Sequence, residues 1–159
     1  MTHLSTADYK VASALMPIVC MDLFVRDEAG RVLLGWRKNP PASGSWFIPG
    51  GRIRKGERLG EAFARLTQQE LGLTRSELPS ARLSGVFDHF YDTDFTGDPE
   101  ATTHYVVLAY ELPAAWTAEL RLPQDVQHQD WCWLAEDQLL MHPEVHPWTK
   151  AYFADGRRS

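Results

Sequence analysis

Cysteine is scarce in this chain. Cys20 and Cys132 are the only two in 159 residues, and each sits in an apolar run. That disfavours a disulfide and makes buried free thiols the expected state. Basic charge is also short, with sixteen Lys and Arg against twenty-one Asp and Glu and a net charge of −5. Without a stripe of Lys and Arg to replace counterions, a non-specific nucleic-acid partner is not expected. A small phosphorylated ligand stays open, because local arginines can outweigh the global charge. No apolar stretch approaches membrane length and no signal-peptide pattern opens the chain, so a cytoplasmic protein with no membrane partner is expected. Low-complexity runs, internal repeats and long linkers are missing too. One folded domain over residues 1–159 is the expectation, with 1–16 as an N-terminal arm or packing helix.

What is present points to a core and to strands on either side of one strong helix. Hydrophobic residues make up 44% of the chain, and six Trp, seven Phe and five Tyr supply ample bulk to fill a core. The run Pro17–Val25 is continuously apolar apart from Asp22 and reads as a buried strand. A turn at 27–30 then predicts a hairpin with a second strand over Arg31–Arg37. Lys38–Ser45 is a loop and Trp46–Ile48 a short strand feeding a tight glycine loop at Gly50-Gly51. A helix is expected from about Glu57 to Gly72, a short helical turn over Thr74–Leu78, and a strand hairpin from Leu83–Tyr91 and His104–Leu112. Pro113–Val126 reads as irregular, Asp130–Leu134 as a strand, and Glu136–Met141 and Glu144–Phe153 as helices. The fold class is therefore α/β, a sandwich of helices around a sheet.

The stretch from Gly50 to Leu73, GGRIRKGERLGEAFARLTQQELGL, organises the rest. At roughly 100° per residue, Leu59, Ala62, Phe63 and Leu66 share one helical face. Glu70 falls within that apolar range, one turn beyond Leu66. An inward carboxylate is costly unless a cation or donors meet it, and a glycine loop beside such a helix suits a hard metal and a phosphate. The stretch resembles the Nudix box: Gly, five residues, Glu, seven residues, then Arg-Glu-apolar-any-Glu-Glu-any-Gly-apolar. Gly51, Glu57, Arg65, Glu70, Gly72 and Leu73 stand at the matching spacings. Leu66 and Gln69 occupy two positions where the box is acidic. The resemblance implies an α/β/α sandwich with a mixed sheet between helices.

Those two departures bear on mechanism. In an ordinary member of the family the box carboxylates gather divalent cations, and water attacks phosphorus. Leu66 can neither bind a metal nor take a proton, and Gln69 offers only a neutral carbonyl oxygen. Glu70 alone can help hold one Mg²⁺, if substrate phosphates and a backbone carbonyl complete the octahedron. The general base must then lie elsewhere. His128 is the best candidate, on a polar loop just before a strand, with an ordinary pKa suited to proton abstraction near neutrality. Its neighbour Gln127 can lend a carbonyl oxygen to the metal.

With Arg65-Leu66-Thr67, Gly85–Asp92 (GVFDHFYD), Thr102–Leu108 (TTHYVVL) and the Gln127-His128 pair, the chain resembles one branch of the family, the GDP-mannose mannosyl hydrolases. The resemblance runs from Pro17 to Phe153. It implies a homodimer and one Mg²⁺ per subunit, with Mn²⁺ able to substitute, held by Glu70, Gln127 and the Gly50 carbonyl. It also implies His128 as base, Asp22 near the anomeric carbon, Arg37 on the leaving diphosphate, and Arg52, Arg65 and Tyr105 at the phosphates or their setting. The substrate would be GDP-mannose, with GDP-glucose as a second, and water would attack the sugar C1 with inversion.

Plainer readings stand beside these. Glu57 and Arg65 also suit a structural pair, and Arg37 beside Trp36 also suits a surface cation. Asp22 is harder to excuse, because it interrupts a buried strand. His89 and His104 are expected to be satisfied structural histidines, and His3, His142 and His146 to lie at the surface. Two other functions remain open: a pyrophosphohydrolase acting at phosphorus, and a non-catalytic nucleotide-binding module.

Overall fold

The computed structural model describes residues 5–40, 42–74, 77–123 and 128–154, the side chains of His128 and Gln129 excepted. The expected turn over Thr74–Leu78 falls partly outside these residues. An N-terminal helix, α1 (Thr6–Leu15), leads into β1 (Ile18–Phe24) and β2 (Val32–Arg37), then β3 (Ser45–Phe47) and β4 (Gly50–Arg52). Helix α2 (Leu59–Leu71) follows. After it come the long strands β5 (Arg82–Tyr91) and β6 (Thr103–Glu111), then β7 (His128–Leu134), α3 (Glu136–Met141) and α4 (Pro147–Ala154). One mixed sheet runs β4-β1-β6-β5, with β1 parallel to β6 and the other pairs antiparallel. A second, antiparallel sheet runs β3-β2-β7. This is the expected α/β fold with a mixed sheet and helices.

The hairpin expected from β1 and β2 does not form as such. Its turn closes, with an Arg26–Val32 bridge and the Leu33 N–H donating to the Val25 carbonyl at 3.0 Å. Beyond it the strands part into different sheets. Both edges of β1 are already taken, by β4 at 20–22 and by β6 from Ile18 to Phe24. A strand has only two edges, so β2 pairs with β3 and β7 instead. The glycine stretch is also more regular than a loop, since Gly50–Arg52 form strand β4 opposite Cys20–Asp22.

Period-two alternation along β1 sorts the two faces. Met21, Leu23 and Val25 meet Ala62, Phe63, Leu66 and Leu71 of α2, with Tyr110, Leu112 and Trp116 completing that core. Phe24 faces the other way and packs with Leu34, Ile48, Ala109 and Leu139, and with Tyr152 and Phe153 of α4. Burying a large apolar side chain contributes about 1.5–3 kcal/mol, so these two layers carry most of the fold's stability. Asp22 shares Phe24's side of the strand. It therefore faces away from α2 and toward α4.

Helix α2 begins at Leu59, two residues later than expected, where the Glu61 carboxylate accepts from the Arg58 N–H at 2.8 Å. It ends at Gly72 in the left-handed region, with φ 65°, and the Gly72 and Leu73 N–H groups close on the Gln68 and Thr67 carbonyls. A side chain at Gly72 would also strike the Arg121 carbonyl. Glu70 is buried, as its place on the apolar face predicts, but Leu59 on the same face is 46% exposed. Leu59 opens the helix, and none of the buried clusters among the described residues includes it.

Candidate active site

One cavity of about 320 Å³ opens between β1, β4, the far ends of β5 and β6, and α1. Asp22, Arg37, Gly50, Arg52 and Tyr105 all line it, joined by Tyr9, His89 and Tyr91. Strand pairing explains the gathering. Asp22 stands opposite Gly50, and Cys20 opposite Arg52, on one edge of β1. On its other edge Ile18 stands opposite Tyr105. A Cβ on Gly50 would lie 2.6 Å from Asp22 Oδ1 and closer still to the Met21 carbonyl, so only glycine lets β4 approach the acid.

Asp22 is 6% exposed. Burial pushes its carboxyl up to about 7, against the opposing pull of a hydrogen bond from Tyr152 and of the Arg37 guanidinium; the charge of Glu70 pushes it further up. The Tyr152 hydroxyl donates to Asp22 Oδ2 at 2.5 Å. Arg37 donates through Nε to the Asn39 carbonyl at 3.3 Å and lies 5.7 Å over the Phe47 ring. Arg52 lies 4.5 Å over the ring of Tyr9, whose phenol shares a hydrogen bond with that of Tyr105. Burial raises the phenols of Tyr91 and Tyr105 well above their ordinary range and leaves the Cys20 thiol protonated and inert.

Arg65 stands one layer behind. It forms a bidentate pair with Glu57, Nε to Oε1 at 2.7 Å and Nη2 to Oε2 at 2.8 Å, and it also donates to the Arg52 carbonyl at 3.0 Å. A third contact runs from Nη1 to Gln69 Oε1 at 3.2 Å. The Glu57 carboxylate accepts from the Arg54 N–H as well, and the Arg65 guanidinium, with that N–H in support, holds it below the usual carboxylate range against the opposing effect of burial. Arg65 thus fixes the loop that delivers Arg52. It does not line the cavity itself.

The remaining expected residues are placed only in part. Gln127 lies outside the described residues. His128 begins β7 with its Cα opposite Arg37 in the β2–β7 register, so its backbone is placed although its side chain is not described. Its position at the start of a strand differs from the loop expected. Among the described residues no three His, Cys, Asp or Glu side chains gather as a metal cluster. The residues present nonetheless suit a single hard cation. Glu70 is buried and its charge reaches Asp22, while Gly50 packs against that same acid. Carboxylate and carbonyl oxygens are the hard donors that Mg²⁺ takes, and it keeps other positions for phosphate and water.

Sequence reasoning missed three contributors. His89 is 3% exposed rather than satisfied, its Nε2 has no hydrogen-bond partner among the described residues, and it stacks on Trp148 at 5.1 Å. Burial lowers its pKa to about 4. His104, by contrast, pairs with Asp88 at 3.0 Å as a structural histidine should. His146 is half-buried rather than fully at the surface; it packs on Phe47 and Tyr91, with its pKa brought by burial to about 4. His3 lies outside the described residues. Tyr9 and Tyr152 come from the terminal helices, and no local pattern marks either.

Comparison with known proteins now decides the family. The NUDIX domain model matches residues 16–155. The chain belongs to the Nudix family. Among this Nudix hydrolase's relatives is the low-salt glycan biosynthesis protein Agl8 of Haloferax volcanii, 37% identical over 129 residues that span 80% of this chain and 76% of that one. The MutT NUDIX hydrolase from Burkholderia pseudomallei has a similar structure, with a TM-score of 0.63 at 27% identity over 86% of this chain and 95% of its own. The MutT protein from Methanosarcina mazei Go1 shares the fold, with a TM-score of 0.65 at 20% identity over 88% and 93%. No helix among the described residues is long and apolar enough to cross a membrane.

Proposed function

We propose that this Nudix hydrolase cleaves GDP-mannose, and GDP-glucose as a second substrate, to GDP and the free sugar, acting as a homodimer with one Mg²⁺ per subunit. The observation that carries the reading is Asp22, a buried carboxylate set on the cavity wall with Arg37 and Arg52 where the box itself has Leu66 and Gln69. A carboxylate in that place suits the positive charge that develops at an anomeric carbon. It would repel the anionic oxygens of a phosphoryl group under attack. The similarity to a protein named for glycan biosynthesis supports a substrate that carries a sugar.

His128 takes a proton from water as the water oxygen bonds to C1. The bond from C1 to the β-phosphate oxygen breaks, and its electron pair leaves with GDP. Arg37 and Arg52 meet the diphosphate charge, and Tyr105 borders the same wall. Asp22 steadies the oxocarbenium-like sugar. Glu70, Gln127 and the Gly50 carbonyl would hold Mg²⁺, which when bound withdraws charge from the departing diphosphate. With the leaving group met in this way, no general acid is required. Attack on one face and departure from the other invert C1, so α-linked GDP-mannose gives β-mannose.

Hydrolysis in ¹⁸O-water tests the reading. Label in mannose, with β-mannose as the first anomer seen by NMR, is the expected result. Label in phosphate would make the enzyme a pyrophosphohydrolase. Tight GDP binding with no turnover would make it a binding module.

A further inference from the structure

We propose that Tyr152, on the C-terminal helix α4, is a positioning residue that orients the Asp22 carboxylate across the active site. This deepens the function proposed above and rests on it. The contact joins residues 130 positions apart, with the Tyr152 hydroxyl donating to Asp22 Oδ2 at 2.5 Å. The other oxygen, Oδ1, faces Gly50. One oxygen held by the phenol and one confined by β4 leave the carboxylate little freedom to rotate.

The phenol is itself held firmly. Its ring meets Phe87 edge-on at 4.7 Å, Phe24 edge-on at 5.0 Å and His89 at 5.2 Å. One turn earlier on the same helical face, Trp148 stacks on His89 and donates through Nε1 to the Phe90 carbonyl at 2.9 Å. Helix α4 is thereby fastened to β5 at two points, and β5 pairs with β6, which pairs with β1. A rigid path runs from the helix back to the strand that carries Asp22. A phenol needing only burial could have been a phenylalanine here. The hydroxyl instead ends on the one carboxylate lining the cavity among the described residues, where misplacement by a fraction of an ångström would weaken its hold on a developing charge.

The test is a double-mutant cycle with Tyr152→Phe and Asp22→Asn, read by kcat, KM and ¹⁸O position, with melting temperature as a check on folding. Tyr152→Phe alone should lower kcat roughly ten- to a hundredfold, the worth of a hydrogen bond to a charged group, with KM unchanged within about twofold. In the Asp22→Asn background the same change should lower kcat less than about twofold, because there is no carboxylate left to position. Equal losses in both backgrounds, or a change in KM alone, would reduce Tyr152 to packing. Should Tyr152→Phe fail to fold, Tyr152→3-fluorotyrosine keeps ring and hydroxyl, and kcat should respond in the parent and not beside Asp22→Asn. Wild-type label in phosphate would overturn the function and the positioning role together. Label in mannose with additive losses would overturn the positioning role alone.

Discussion

Two charged regions flank the same glycine strand, and they differ in how well their charges are met. On the helix side, Glu57 and Arg65 form a bidentate pair, and each also holds a backbone group of the intervening loop. On the cavity side, Asp22 is buried with a raised pKa, and His89 keeps a nitrogen without a partner among the described residues. The first cluster meets its charges with an ion pair and backbone groups, so its work is to hold Arg52 in place. The second retains unmet polarity in a cleft, and unmet polarity is what a substrate or a developing charge can relieve. Charge near the motif marks structure where it is satisfied and chemistry where it is not.

Breaking the satisfied cluster should have the largest effect on the fold. Arg65→Ala strands a Glu57 side chain that is 1% exposed, and we expect a loss of about 3–5 kcal/mol in urea unfolding. Removing both charges together, as Arg65→Met with Glu57→Leu, should restore much of that stability while still misplacing Arg52 and lowering activity. A double variant no more stable than Arg65→Ala would show that the pair is not acting as an isolated ion pair. The cavity side should respond in the opposite sense. Asp22→Asn removes a costly buried charge, so the melting temperature should hold or rise, while kcat falls roughly a hundredfold. A variant that melts lower and turns over normally would reverse the assignment of the two regions.

Much of the satisfied side was legible in sequence, because its signals are local. The box spacing placed Glu57, Arg65, Glu70 and Gly72, and the helical period turned Glu70 inward, where it is buried. Leu59 broke the pattern because periodicity marks a helical face and not how much of it the rest of the fold covers. The β1–β2 hairpin failed for a kindred reason, since the turn at 27–30 does not reveal that both edges of β1 will be occupied. The cavity side was legible only where one residue contradicted its surroundings, as Asp22 does within an apolar strand. Tyr9, His89 and Tyr152 contradict nothing nearby. They reach the site through the pairing of β5 with β6 and the docking of both terminal helices, and those are properties of the whole fold.

The unmet histidine should also appear in the pH dependence of stability. The folded pKa of His89 lies near 4 and its unfolded value near 6.5. Above pH 6.5 both states are neutral there and nothing is lost. As pH falls toward 4 the unfolded chain takes the proton first, so the folded state loses ground, and below 4 the loss stops growing. Asp22 works the other way, because its raised folded pKa favours the native state as pH falls from 7. The contribution of His89 is therefore read as a difference between proteins. From pH 7 to pH 5, His89→Phe should lose about 2 kcal/mol less than wild type. Identical slopes would mean that the protonated His89 ring has found an acceptor or water in solution.

The smallest effect belongs to the rim. Lys10 reaches from α1 to Asp98 at 3.0 Å and Asp94 at 3.7 Å, on either side of Phe95, which meets Tyr9 edge-on where both line the cavity. The lysine side chain is 40% exposed, so water and salt screen these pairs. Lys10→Met should leave urea unfolding unchanged. It frees the helix to swing from the mouth, however, and we expect KM for the nucleotide sugar to rise roughly two- to threefold with kcat intact. Added salt should raise the KM of both proteins through the cavity arginines, and that of the wild type more steeply, because only the wild type also has the rim ion pairs to screen. A salt response of equal size in both would place the charge dependence on Arg37 and Arg52 instead, inside the cavity and beyond the reach of the rim.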